Sequence, residues 1–157
     1  MVSNLPKHFF MQHRQTFTKK ERLCSKKLTE KLFKKSQAFF EYPFKVVYFI
    51  TDSTESLASD APAQVLFTAS KRNLKKAVAR NRAKRIMREA FRKNKTVLYE
   101  NLEKAAKKIV VGFIYNAPQT PEYQRTEQKI IFIINRLIRE VDRIGKQNTN
   151  PANINNQ

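Results

Sequence analysis

The chain has 157 residues, and 32 Lys+Arg against 13 Asp+Glu leave a formal net charge of +19. That length suits one domain, and that charge exceeds what solubility requires, so its self-repulsion calls for an anionic partner such as nucleic acid or an anionic membrane surface. Hydrophobic residues make up 41% and include twelve Phe and five Tyr, which excludes a disordered polycation.

Cys24 is the only cysteine, so an internal disulfide and a Cys-based zinc site are excluded, and a reducing compartment, by default the cytoplasm, is implied. The segment MVSNLPKHFFMQHRQTFTKK has no apolar stretch of signal-peptide length, and the longest apolar run, Ile130 to Ile134, is too short for a bilayer. Neither secretion nor membrane insertion is expected.

Residues 1–20 lack periodicity and read as a flexible N-terminal extension. His8 and His13 fall there without a carboxylate or cysteine beside them, and read as tail histidines rather than metal ligands. Ser25 is placed to cap a short basic helix whose Leu28, Leu32 and Phe33 share one face. Phe44 to Thr51, β-branched and aromatic behind Pro43, is a strand, with Phe44, Val46, Tyr48 and Ile50 on one face. The stretch from Asp52 to Ala63, with Asp52, Glu55 and Asp60, reads as a solvated connection. Gln64 to Ser70 is a second strand, and the near-continuously apolar Lys107 to Tyr115 is a third, of the kind buried on both faces. From Tyr123 to Ile144, Ile130, Ile134, Leu137, Val141 and Ile144 recur at helical spacing, and Gly145 is a stop signal. From Lys146 the Asn-rich KQNTNPANINNQ, residues 146–157, reads as a disordered tail. The order is helix, strand, strand, helix, strand, helix: an α+β domain over 21–145.

Lys71 to Lys95 holds twelve Lys/Arg and one acid, Glu89. On a helix of about 100° per residue, Ala79, Ala83, Ile86, Met87, Ala90 and Phe91 occupy one arc, leaving Asn81, Arg82, Lys84, Arg85, Arg88 and Arg92 on the remainder. Arg80, at the edge of the arc, reads as positional as well as electrostatic. A charged helical face is usually just solvated. Here like charges three and four apart, such as Arg85 with Arg88, repel by a few tenths of a kcal/mol per pair unless an anion is near. A whole face of them favours phosphate binding, for which fixed guanidinium forks are suited. Among the aromatics most read as core; Phe33 and Tyr48 are the candidates for exposure and base stacking. The sequence has no Walker-type loop, His-x-x-x-His pair or serine triad. Its acids are scattered, with Glu100 and Glu103 on a polar connecting segment, so neither a catalytic residue nor a metal ligand is assigned.

Thr68 to Lys71 (TASK) followed by Ala79 to Arg92 (ARNRAKRIMREAFR) resembles the bacterial ribonuclease P protein component, and the resemblance extends from Glu21 to about residue 145. It implies a small mixed four-stranded sheet packed with helices, in α-β-β-α-β-α order with a left-handed β-α-β crossover, similar to the second domain of ribosomal protein S5. It further implies a protein cofactor to a catalytic RNA in a cytoplasmic ribonucleoprotein that removes the 5′ leader of precursor tRNA by Mg²⁺-dependent hydrolysis. In that case the Mg²⁺ is held mainly by RNA, the partners are the catalytic RNA and precursor tRNA, and no obligate protein partner is required. The family's Arg-Asn-Arg motif corresponds to Arg80, Asn81 and Arg82, and its following basic positions to Lys84, Arg85 and Arg88, toward the catalytic RNA. The leader cleft corresponds to Phe33, Tyr48, Ser70, Lys71 and Arg72. Two departures are visible: Thr29 stands where an aromatic is frequent, and the loop before the basic helix is one residue longer. The competing reading is a structural, ribosomal-type RNA-binding protein with no processing role. A protein-only nuclease and a basic membrane-surface protein fit less well.

Overall fold

The computed structural model describes residues 15–55, 57 and 59–147. After a short 3₁₀ turn at Lys19–Glu21 come helix α1 (Lys26–Lys34), strands β1 (Gln37–Glu41), β2 (Phe44–Asp52) and β3 (Ala63–Ala69), helices α2 (Ala77–Asn94) and α3 (Thr96–Ala105), strand β4 (Lys107–Tyr115) and helix α4 (Tyr123–Gln147). The sheet order is β1-β2-β4-β3; β2 pairs antiparallel with β1 and β4, while β3 runs parallel to β4. The return from β3 to β4 therefore needs a crossover, which α2 and α3 supply.

The α+β architecture expected from the sequence is present, with two elements added. β1 is an edge strand of five residues whose Phe40 is exposed. The segment carrying Glu100 and Glu103 is helix α3, not a connection: Leu98, Tyr99 and Leu102 fall on one face and are buried in the core. Two boundaries also move. Gly145 does not stop α4, which continues to Gln147, because an exposed helix end tolerates one glycine at about 1 kcal/mol. Residues 15–20, expected as free extension, are held: Phe17 meets Phe67 and Phe91 edge-on, with centroids 5.7 and 6.2 Å away, and Arg92 Nη1 donates to Gln15 O at 2.6 Å. The two histidines and the Asn-rich segment from 148 lie outside the described residues.

Strand alternation divides the apolar residues between two cores. Phe44, Val46, Tyr48, Val65, Phe67, Ile109, Val111 and Phe113 face α2, α3 and α4, whose Met87, Phe91, Leu98, Ile130, Ile133 and Leu137 complete the larger one. On the other face α1 covers part of the sheet, with Leu23 and Leu57 beside it. Its Leu32 packs with Leu23, Val47 and Val110. The helix starts as the sequence predicts, with Ser25 Oγ accepting from Leu28 N at 3.3 Å. Gly112 lets it approach: a Cβ there would lie 3.0 Å from Val47 Cγ2 and 3.2 Å from Leu32 Cδ2.

Candidate nucleic-acid interface

α2 buries Ala83, Met87, Ala90 and Phe91 and turns its basic face outward. Asn81, Arg82 and Arg85 are exposed, and Lys84, Arg88 and Arg92 half-buried. Arg80 is positional, as the sequence suggests: its Nη1 donates to Leu74 O at 2.8 Å and Lys75 O at 2.7 Å, tying the incoming loop to the first turn. Among the described residues Arg82, Lys84, Arg85 and Arg88 make no ion pair, whereas Arg92 is paired bidentately with Glu89, at 2.6 and 2.9 Å. That hydrogen bond holds the Glu89 carboxyl below its ordinary range. The uncompensated part of the face therefore ends before Arg92.

The α1 side of the sheet is only partly covered. In register across it lie Phe40, Lys45, Ile114 and Thr68, with Phe40 and Lys45 exposed and the other two half-buried. Phe33, 52% exposed, stands on α1 at its side. Ser70, in phase with Thr68, lies just past the end of β3 and donates its N–H to Tyr115 O; Lys71 and Arg72 are exposed in the turn that follows. Phe33, Ser70, Lys71 and Arg72 are thus exposed or half-buried around this face, but Tyr48 is not. It is 4% exposed on the opposite face, where its hydroxyl donates to Gln37 Oε1 at 2.8 Å and Phe39 meets it edge-on. Burial raises its pKa, with Glu140 adding to the effect. The error was one of face, since period 2 says which residues share a side but not which side the larger helices cover. The same alternation, with the face known, would have named Lys45, Thr68 and Ile114, which the sequence reading missed.

Arg22 was missed as well. It precedes α1, pairs with Val65 as an isolated parallel bridge, and has no periodic pattern to mark it. Beside it Glu21 is buried, accepting from Tyr99 Oη at 2.7 Å, from Thr18 N at 2.5 Å and from the buried Lys95 ammonium, which also donates to Thr16 O at 2.6 Å. Burial pushes the Glu21 carboxyl up, but Lys95, Thr18 and Tyr99 together hold it below its ordinary value. Among the described residues no three His, Cys, Asp or Glu side chains come together to hold a metal. No helix among the described residues is long and apolar enough to cross a membrane.

The family model for ribonuclease P matches residues 17–138, which takes in α1, the whole sheet and the basic helix. The chain belongs to the ribonuclease P protein family. It is 30% identical over 111 residues to the ribonuclease P protein component of Porphyromonas gingivalis, covering 71% of this chain and 78% of that one. It is 35% identical over 96 residues to the corresponding protein of Chlorobaculum tepidum, covering 53% and 62%. The fold is similar to that of the Staphylococcus aureus RNase P protein, with a TM-score of 0.54 at 19% identity over 74% of this chain and 94% of that one. Membership of this family implies a role in an endoribonuclease complex.

Proposed function

We propose that this chain is the protein subunit of a ribonuclease P ribonucleoprotein in the cytoplasm. The outer face of α2, from Asn81 to Arg88, binds the catalytic RNA. The α1-side cleft takes the single-stranded 5′ leader of precursor tRNA, with Phe33 as a stacking platform and Lys45, Lys71 and Arg72 tracking the phosphates. The RNA carries out the Mg²⁺-dependent hydrolysis and holds the ion. The observation that supports this reading most is a run of cations on one helix, Arg82 to Arg88, without an ion pair among the described residues, on a domain whose other face is a partly covered, partly aromatic sheet. Guanidiniums suit phosphate oxygens, and an exposed aromatic beside a basic sheet face can stack unpaired bases.

The test is cleavage of a 5′-labelled precursor tRNA at low Mg²⁺ by a bacterial ribonuclease P RNA, with and without this protein, beside a protein-alone control. Stimulation only when both are present is expected. Binding without stimulation replaces this reading by the structural RNA-binding one, and cleavage by protein alone moves the chemistry onto the chain.

A further inference from the structure

On the flank of α2 nearest the N-terminal segment, three arginines lie near one another with no acid paired to them among the described residues. The backbone at Arg22 is fixed from both sides, while its side chain is exposed: Leu23 N–H donates to Val65 O at 3.0 Å, and Glu21 is locked in the buried network with Lys95 and Tyr99. Arg85 and Arg88, three apart on α2, face the same side of the helix. Burial, then Arg22, then Arg85 push the Arg88 guanidinium below its ordinary value, and Arg88 Nε is buried with no hydrogen-bond partner. Among the described residues none of the three makes an ion pair. Folding thus holds Arg88, whose hydration is partly lost and not replaced by the protein, near the exposed Arg22 and Arg85. An oxyanion among them adds attractions that outweigh the repulsions and supplies the missing acceptors.

We infer that Arg22, Arg85 and Arg88 form one pre-organised site for a single phosphodiester of bound RNA. The site rests on the RNA-binding reading above and extends it to a residue outside the basic helix. A phosphodiester fits because its two non-bridging oxygens accept from guanidinium forks bidentately. Arg22 gives the site a fixed position: it is tied to the edge of β3 while its partners ride on α2, so the phosphate registers the helix against the sheet.

The test measures, across a KCl series, the affinity of the full chain for a bacterial ribonuclease P RNA and of the assembled holoenzyme for precursor tRNA. The variants are Arg22→Ala, Arg22→Lys, Arg88→Ala and the Arg22/Arg88 double alanine, with Arg82→Ala as the reference for the α2 face. Arg22→Ala is expected to weaken one of the two associations about tenfold and to lower its salt slope by about one counterion. The association that responds identifies whether the phosphate comes from the catalytic RNA or from the precursor. Arg22→Lys should keep the slope and recover only part of the affinity, because it restores charge without the fork. The double variant should fall well short of the product of the two single losses, since both vacate the same phosphate. Unchanged slopes for Arg22→Ala in both associations, with Arg82→Ala still lowering the first, overturn the site and leave the RNA-binding reading standing. A multiplicative double loss also overturns the shared site. Unchanged slopes for Arg82→Ala as well overturn both.

Discussion

Glu21 stays ionised with little water around it because an ammonium, a hydroxyl and a backbone N–H converge on its two oxygens. A carboxyl held low in the folded state and at its ordinary 4.5 when unfolded stabilises the fold above that value, and the contribution is lost as pH falls through the folded value. Glu21→Gln leaves Lys95, 2% exposed, buried without its anion, and should cost about 3–5 kcal/mol at neutral pH. In urea titrations the gap between the two proteins should narrow below about pH 4.5, as the natural carboxyl also loses its charge; a gap constant down to pH 3 would contradict this account. Tyr48 makes the second residue-scale prediction. Tyr48→Ala should destabilise by about 3–5 kcal/mol through the cavity it leaves, while the folded variant binds precursor and mature tRNA with equal losses. A loss confined to the precursor would return Tyr48 to the cleft. Both residues also mark what sequence cannot carry. The alternation that grouped Tyr48 with Phe44 and Val46 was legible, but its face depended on α4, about ninety residues on. The Glu21–Lys95 pair joins positions 74 apart with no pattern to announce it.

Among the elements, Gly112 is the contact on which α1 rests. Gly112→Ala places a methyl against Val47 and Leu32, both buried, so α1 must shift or the side chains leave their rotamers. Overpacking of this kind costs about 1–3 kcal/mol. It should appear first as faster amide exchange in Lys26–Lys34, with β3 and β4 less affected; uniform destabilisation would mean that α1 is not a separable unit. The long elements were readable because their apolar periods run over many residues: β4 was placed from Lys107 to Tyr115, and α4 was bounded within three residues of its end. β1 was not, since an edge strand with one half-exposed face gives five residues of weak alternation. α3 was hidden by its charge. Leu98, Tyr99 and Leu102 held the helical signal, but Glu100, Asn101, Glu103 and Lys104 between and after them gave the stretch a connector's composition.

At the scale of the whole molecule, a net charge of +19 is carried on a sheet flanked by helices of unequal coverage. Screening that repulsion should raise the thermal midpoint as NaCl goes from about 0.02 to 0.3 M, because the Debye length falls from roughly 20 Å to below 8 Å. A midpoint that falls would mean that the described ion pairs outweigh the repulsion. The candidate interface was legible as a basic helix in the sequence; the cleft was only half legible, because its floor is set by which face α1 leaves open. The attachment of Arg22 to Val65 has one more consequence. A parallel sheet edge with free N–H and C=O groups is a template on which a second chain can add, strand upon strand. β3 runs Ala63–Ala69 along that edge, and Arg22–Leu23 occupies it near its midpoint, leaving only short stretches on either side. The segment ahead of α1 thereby covers the middle of that outer ladder, and trimming the chain past Leu23 should open it to pairing with a second copy of the chain, seen as concentration-dependent association.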